Sequence, residues 1–282
     1  MRIHHLSCGS LCPCGGRLFD GRSRGLFAHI VTHCLLIETA AGLVLVDTGY
    51  GLQDMRDRGS RLSHIWRALL NVQFREDDAA VRQVERLGYS ARDVRHIVLT
   101  HLDFDHAGGL GDFPDARVHL LRAELGSANM GRGFVERRRY RAAQWQQVRH
   151  WRTYAPQGEA WFGFESVRAL EGLPPEILMV PLAGHTVGHA GVAVQAAGAW
   201  LLHAGDAYLH RRQIETEATC PPGLGIYERL MDSDSPNRVR NQARLRELKR
   251  AHAGRVTVFC SHDASEFEAL RTRQDGMQNR AA

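Results

Sequence analysis

The stretch Arg95-His96-Ile97-Val98-Leu99-Thr100-His101-Leu102-Asp103-Phe104-Asp105-His106-Ala107-Gly108-Gly109 sets two imidazoles and two carboxylates directly after an apolar run. Both groups are metal donors, and His with Asp at alternating spacing lets side chains converge on one ion. Ile97, Val98 and Leu99 form the continuous apolar pattern of a strand buried on both faces, and the two glycines mark a turn. The donors therefore lie at a strand end, where α/β sheets bind ligands.

The same residue types recur at other strand ends. Ile177-Leu178-Met179-Val180-Pro181 leads to Gly184-His185-Thr186-Val187-Gly188-His189, Trp200-Leu201-Leu202-His203 leads to Gly205-Asp206, and Val256-Thr257-Val258-Phe259-Cys260 leads to Ser261-His262-Asp263. Taken singly, each is ordinary: a buried histidine is usually just hydrogen-bonded, and an aspartate after a strand usually caps a turn. Taken together, His101, Asp103, Asp105, His106, His185, Asp206 and His262 offer seven donors. Three or four complete one ion's protein shell, so the set points to two metals sharing a carboxylate. Such a centre makes hydroxide available from a bridging water near neutral pH and polarises a carbonyl or phosphoryl oxygen. Asp105 is placed to orient that hydroxide or to carry a proton to the leaving group. Tyr208, two residues beyond Asp206, is a candidate hydrogen-bond donor to the developing oxyanion, with a packed aromatic as its alternative. Thr186 and His189 read as supports for His185 and its loop.

The elements that must carry these residues are legible in outline. Residues 1–33 mix Gly, Pro, Cys and Arg and read as an irregular or hairpin entry. Cys34-Leu35-Leu36-Ile37-Glu38 and Leu43-Val44-Leu45-Val46-Asp47 predict a hairpin whose second strand ends in Asp47-Thr48-Gly49. Helical patterns run from Leu52 to Leu70, with a break at Gly59, and from about Asp77 to Leu87. Arg117–Leu121 is a further strand, Val192–Val194 and Trp200–His203 a second hairpin, and Pro236–His252 a helix. Strands divided by helices predict a layered α/β domain spanning 1–282. Residues 122–172 form an insert rich in aromatics and arginines, either a pocket wall or lid or helices packed on the core. Its run Glu136-Arg137-Arg138-Arg139-Tyr140-Arg141 is a grip for an anionic substrate or a solvated helix face.

Composition narrows the function classes. With 44% hydrophobic and 24% charged residues in 282, the chain is globular, neither disordered nor fibrous. The net charge of +5 rests almost wholly on arginine, since Lys249 is the single lysine. That skew is a compositional habit rather than a phosphate-binding face, so nucleic acid is not the expected partner. Cys8, Cys12 and Cys14 lack a second paired set at zinc-knuckle spacing and read, with Cys34, Cys220 and Cys260, as reduced thiols. An apolar leader and an eighteen-residue apolar run are both missing, so a cytoplasmic protein with neither export nor a membrane span is expected.

The ordered motifs, Thr100-His101-x-Asp103-x-Asp105-His106, Gly184-His185-Thr186-x-Gly188-His189, Gly205-Asp206 and Ser261-His262-Asp263, resemble those of the metallo-β-lactamase superfamily. The Asp47-Thr48-Gly49 ending resembles that superfamily's early structural motif, and the likeness covers roughly residues 30–265. The resemblance implies a four-layer αβ/βα sandwich with a dinuclear metal site at one edge. One metal would take His101, Asp103 and His185, the other Asp105, His106 and His262, with Asp206 bridging. The family usually has a third histidine where this chain has Asp103. Flavodiiron proteins resemble it in placing a carboxylate there; either Asp103 ligates, shifting preference from zinc toward iron or manganese, or it is too short to reach. The layout is similar to N-acyl homoserine lactonases, which implies a hydrolase of an ester-like carbonyl, a lactone first, acting on a small molecule. Glyoxalase II-like thioester hydrolysis and a non-hydrolytic diiron redox or sensor role are the alternatives, and a homodimer stays open.

Overall fold

Apolar runs in the first half alternate between two cores, which is why they read as unbroken. The computed structural model describes residues 1–57, 61–131, 133–165 and 170–281, with side chains to residue 276. Strand β1 (Arg2–Leu11) is followed by a single turn, α1 (Arg17–Asp20), and by the hairpin β2 (Ile30–Thr39) and β3 (Gly42–Val46). Leu35, Ile37, Val44 and Val46 point into one core, Leu36 and Leu45 into another. Of the irregular and hairpin readings of the entry segment, the second is the nearer: it opens on a ten-residue strand that pairs antiparallel with β2. Its buried positions alternate at His4, Leu6 and Cys8, a period of two that the polar residue types conceal.

The helical stretch after Asp47 divides into α2 (Leu52–Arg56) and α3 (His64–Leu70); Gly59, read as its break, lies outside the described residues. The short β4 (Val72–Gln73) and α4 (Ala80–Arg86), which buries Ala80, Val81 and Val84, lead to β5 (Val94–Val98) and β6 (Arg117–Leu121). The insert then forms α5 (Arg122–Met130), α6 (Glu136–Arg139), α7 (Ala142–Trp145), β7 (Trp151–Tyr154) and a ribbon of β8 (Ala160–Trp161) with β9 (Phe164–Glu165). It is more than a wall or packed helices, because β7 pairs in parallel with β6 and completes a sheet. The second half holds β10 (Ile177–Pro181), β11 (Ala190–Ala196), β12 (Ala199–His203), α8 (Pro222–Met231), α9 (Ser235–Ala251), β13 (Val256–Phe259) and α10 (Ala264–Ala281). Asp234 caps α9 by accepting from the Asn237 N–H at 3.0 Å. No described helix is long and apolar enough to cross a membrane.

Seven strands in the order β4-β1-β2-β3-β5-β6-β7 make one sheet and four in the order β10-β11-β12-β13 the other. Leu35, Ile37, Val44, Val46 and Val98 of the first meet Ile177, Met179, Val192, Val194 and Phe259 of the second. The far face of the first sheet packs on α2, α3 and α4, that of the second on α9 through Leu245 and Leu248. The result is an αβ/βα sandwich of four layers. Loops at one edge are stitched across the sheets: the Ala190 N–H donates to the Thr100 carbonyl at 2.9 Å, and the His33 N–H to that of Ser261 at 2.8 Å. With the Leu182 N–H on the His189 carbonyl at 2.9 Å and the Ser261 N–H on that of Gly205 at 3.1 Å, these bonds bring the ends of β5, β10, β12 and β13 together.

Candidate metal centre

At that edge the seven strand-end donors converge, all of them buried. His101, His185 and Asp206 form one group and Asp105, His106 and His262 a second, each with ligand-type atoms within 4.8 Å of one another. The Asp206 carboxylate faces both. Its Oδ2 lies 3.6 Å from His185 Nε2 and 3.1 Å from His262 Nε2, while Oδ1 lies 3.4 Å from His106 Nε2. Asp105 closes the second group, with Oδ2 at 3.7 Å from His262 Nε2.

Neighbouring groups fix which imidazole nitrogen is presented. His106 Nδ1 donates to Asp47 Oδ2 at 2.9 Å, and the same carboxylate accepts from the Thr100 N–H and hydroxyl, each at 2.8 Å. Asp47 holds a positive φ of 56° at the end of β3, a conformation uncommon outside glycine and tolerated by aspartate. With the Thr100 proton committed to Asp47, His101 Nδ1 donates to Thr100 Oγ1 at 2.9 Å. His262 Nδ1 donates to the Val31 carbonyl at 2.8 Å. In all three the Nε2 lone pair is turned toward the pocket. His189 donates from Nδ1 to the Leu182 carbonyl at 3.0 Å and accepts the Asp206 N–H on Nε2 at 2.8 Å, so it pins the backbone of the shared carboxylate. Thr186 bonds Glu124 rather than His185. Glu124, on α5, accepts from the Thr186 hydroxyl at 2.7 Å, the Gly188 N–H at 3.1 Å and the Leu102 N–H at 3.0 Å, tying both histidine loops together.

Two residues depart from the first reading of the sequence. Tyr208, read as an oxyanion donor or a packed aromatic, takes the second of these roles: it is fully buried with its hydroxyl on the Glu266 carboxylate at 3.1 Å, because the backbone after Asp206 turns it into the second sheet's core. Tyr227 of α8 takes the place beside the donors. It lines a narrow apolar cleft with Phe19, Ile30, Leu70 and Leu224, on whose wall Asp105 and His262 stand. Burial first, then the charges of Asp105, Asp103 and Asp206, push its phenol well above the usual range, so it stays protonated. Arg139 is the second surprise. It comes from the arginine run, yet it is buried, donating from Nη2 to Asp103 Oδ2 at 2.8 Å and from Nη1 to the His185 carbonyl at 2.9 Å. Asp103 Oδ2 also lies 3.1 Å from His185 Nε2 and 3.4 Å from His101 Nε2. Neither Tyr227, Glu124 nor Arg139 carries a spacing signal, since each reaches the site by tertiary packing from another element.

The donor set fits cations. Among the described residues, His101 Nε2, His106 Nε2, Asp103 Oδ1 and Asp206 Oδ1 are buried without a hydrogen-bond partner; such atoms cost free energy unless an ion or water takes them up. The pocket is electronegative. Burial disfavours a charged His106, yet Asp206, Asp47 and Asp105 hold its imidazole well above the ordinary range.

A family model described as metallo-beta-lactamase superfamily matches residues 30–256. The chain belongs to the metallo-β-lactamase superfamily. Within it, a probable metallo-hydrolase of Mycobacterium tuberculosis is 41% identical over 272 residues, covering 96% of this chain and 83% of the relative. An N-acyl homoserine lactonase of Bacillus cereus is 24% identical over 248 residues, 88% of this chain and 87% of its own. The structure of an N-acyl homoserine lactone hydrolase with N-hexanoyl-L-homoserine at its catalytic metal centre has a TM-score of 0.71 at 20% identity, covering 95% of each chain. With relatives named as metallo-hydrolase and lactonase, this member of the metallo-β-lactamase superfamily is a metallo-hydrolase with the αβ/βα fold.

Proposed function

We propose that this metallo-hydrolase opens an ester-like carbonyl in a small molecule, a lactone first of all. The observation that carries this is the meeting of two donor groups, joined by Asp206, with a narrow apolar cleft on whose wall Asp105 and His262 stand. The named lactonases among its relatives support the same substrate class. Asp105, His106 and His262 would hold one divalent ion, zinc being suited to a mixed imidazole and carboxylate shell; His101, His185 and Asp206 bound the place of a second cation. A bound ion supplies Lewis acidity toward the carbonyl oxygen and lowers the pKa of water.

The chain's own groups do the rest. Asp105, at the cleft wall, orients the attacking water and moves its proton toward the leaving alkoxide. The Tyr227 hydroxyl, protonated and in the same cleft, donates to the carbonyl oxygen as charge develops on it. The apolar lining excludes bulk water and strengthens both interactions. The test is elemental analysis of the purified protein followed by a panel of N-acyl lactones, thioesters and phosphodiesters. Lactone turnover that falls on chelation is expected; a fully loaded protein inert toward the lactones overturns the reading.

A further inference from the structure

We propose that Arg139, seated by Asp103, is itself the second cation of this centre. The guanidinium holds the His101–His185 position against a metal ion, and the protein carries one tightly bound ion, at Asp105, His106 and His262.

The geometry is direct. Arg139 Nη2 contacts Asp103 Oδ2 at 2.8 Å and His185 Nε2 at 2.9 Å, the second being a donor atom that an ion in that position needs. The contact is built in rather than incidental. Asp103 and Tyr140 pair through their backbones, fixing the chain next to the arginine. Nη1 donates to the His185 carbonyl, and the whole side chain is buried. A guanidinium does not lose its proton, so a metal ion cannot enter by neutralising it; the arginine has to leave. Leaving strands a charged group and the Asp103 carboxylate in a buried pocket, which is strongly unfavourable.

Charge balance argues the same way. Asp103, Asp105 and Asp206 face the pocket, with Asp47 buried behind His106; one guanidinium and one divalent ion offset three of these four negative charges, whereas a second divalent ion beside Arg139 would turn the excess positive in a desolvated space. The two departures then form one device. A histidine at the position of Asp103 cannot cancel an arginine's charge, whereas a carboxylate can, here through Oδ2 in a charge-assisted hydrogen bond. Asp103 on this account is the arginine's anchor and not a metal ligand.

The inference rests on the metal-dependent reading, but its test counts ions instead of turnover. Apo-protein is titrated with cobalt(II), following the visible absorption of the bound ion, and metal retained after dialysis is measured by mass spectrometry. Wild type is expected to hold one equivalent tightly; Arg139→Gln is expected to hold a second, bound at least about tenfold more tightly than in wild type, the scale on which groups behind metal ligands act. Two tight equivalents in wild type overturn the proposal, as does a folded Arg139→Gln that still holds one. Should that variant fail to fold, Asp103→Asn reads the same quantity: the loosened arginine admits a second ion, and an unchanged count overturns the assignment. An inert protein holding one ion would sink the hydrolase reading and leave this one standing.

Discussion

Asp47 touches none of the pocket's open donor atoms, yet three of its bonds decide what they present. It accepts from His106 Nδ1 and from both polar groups of Thr100, and Thr100 in turn orients His101. Asp47→Ala should therefore leave the ligands in place but free two rings, lowering metal affinity about 10–100-fold, read by competition with a chromophoric chelator. His106→Ala removes a donor outright, and metal content and hydrolysis should fall together; wild-type turnover with full metal content would show that the ligands are misassigned. At this scale the sequence was informative about donors and poor about directions. The seven donors declare themselves because each follows an apolar run at a strand end. Tyr208 stays open between oxyanion donor and packed aromatic in the sequence because nearness along the chain to Asp206 does not fix which way a side chain turns. Arg139 was unreadable: within a run of arginines nothing separates the one that tertiary packing buries from those that stay in water.

Among the elements, α5 has the most leverage on the site, because Glu124 bonds the backbone of the His101 loop and two groups of the His185 loop. The close fit is visible at Gly188, where an added Cβ would meet the Glu124 backbone nitrogen at 2.1 Å. Glu124→Ala leaves three buried donors unpaired, at a cost of about 3 kcal/mol or more. A matching loss in denaturant midpoint together with reduced metal content is expected; loss of stability with full metal affinity would mean that the two loops hold their histidines without the helix. Elements buried on both faces were the most legible, since Leu35–Ile37 and Val44–Val46 stay apolar throughout. Strand β1 escaped because His4 and Cys8 supply two of its buried positions in place of aliphatic residues. The insert escaped in another way: β7 pairs through its backbone at a sheet edge, and four half-buried residues, Trp151–Tyr154, carry little pattern.

For the molecule as a whole, the junction of the two sheets sets the response to acid. His5 of β1 and His33 of β2 meet His203 of β12 there, with His5 Nδ1 and His33 Nε2 at 2.8 Å and the Phe259 ring tilted against that of His33, centroids 4.5 Å apart. Burial first, then the neighbouring histidines, lower the His5 pKa from 6.5 to about 4, and burial lowers His33 well below its ordinary value. The groups facing His5 and His33 are histidines and aromatic rings, with His4, itself on Glu38, alongside; Asp47 and the His33 carbonyl favour a proton on His203, but burial outweighs them. The folded protein then binds fewer protons here than the unfolded chain. This contribution to stability is fully present above about pH 6.5 and is lost as pH falls toward the folded value. For His5 alone the 6.5-to-4 shift corresponds to about 3 kcal/mol. Thermal midpoints should drop between pH 7 and pH 4.5, and His5→Phe, which keeps an aromatic ring and removes the titration, should flatten that slope. Measuring both proteins with chelator present separates the effect from metal release. An equally steep slope in His5→Phe would place acid sensitivity elsewhere than in the seam between the sheets.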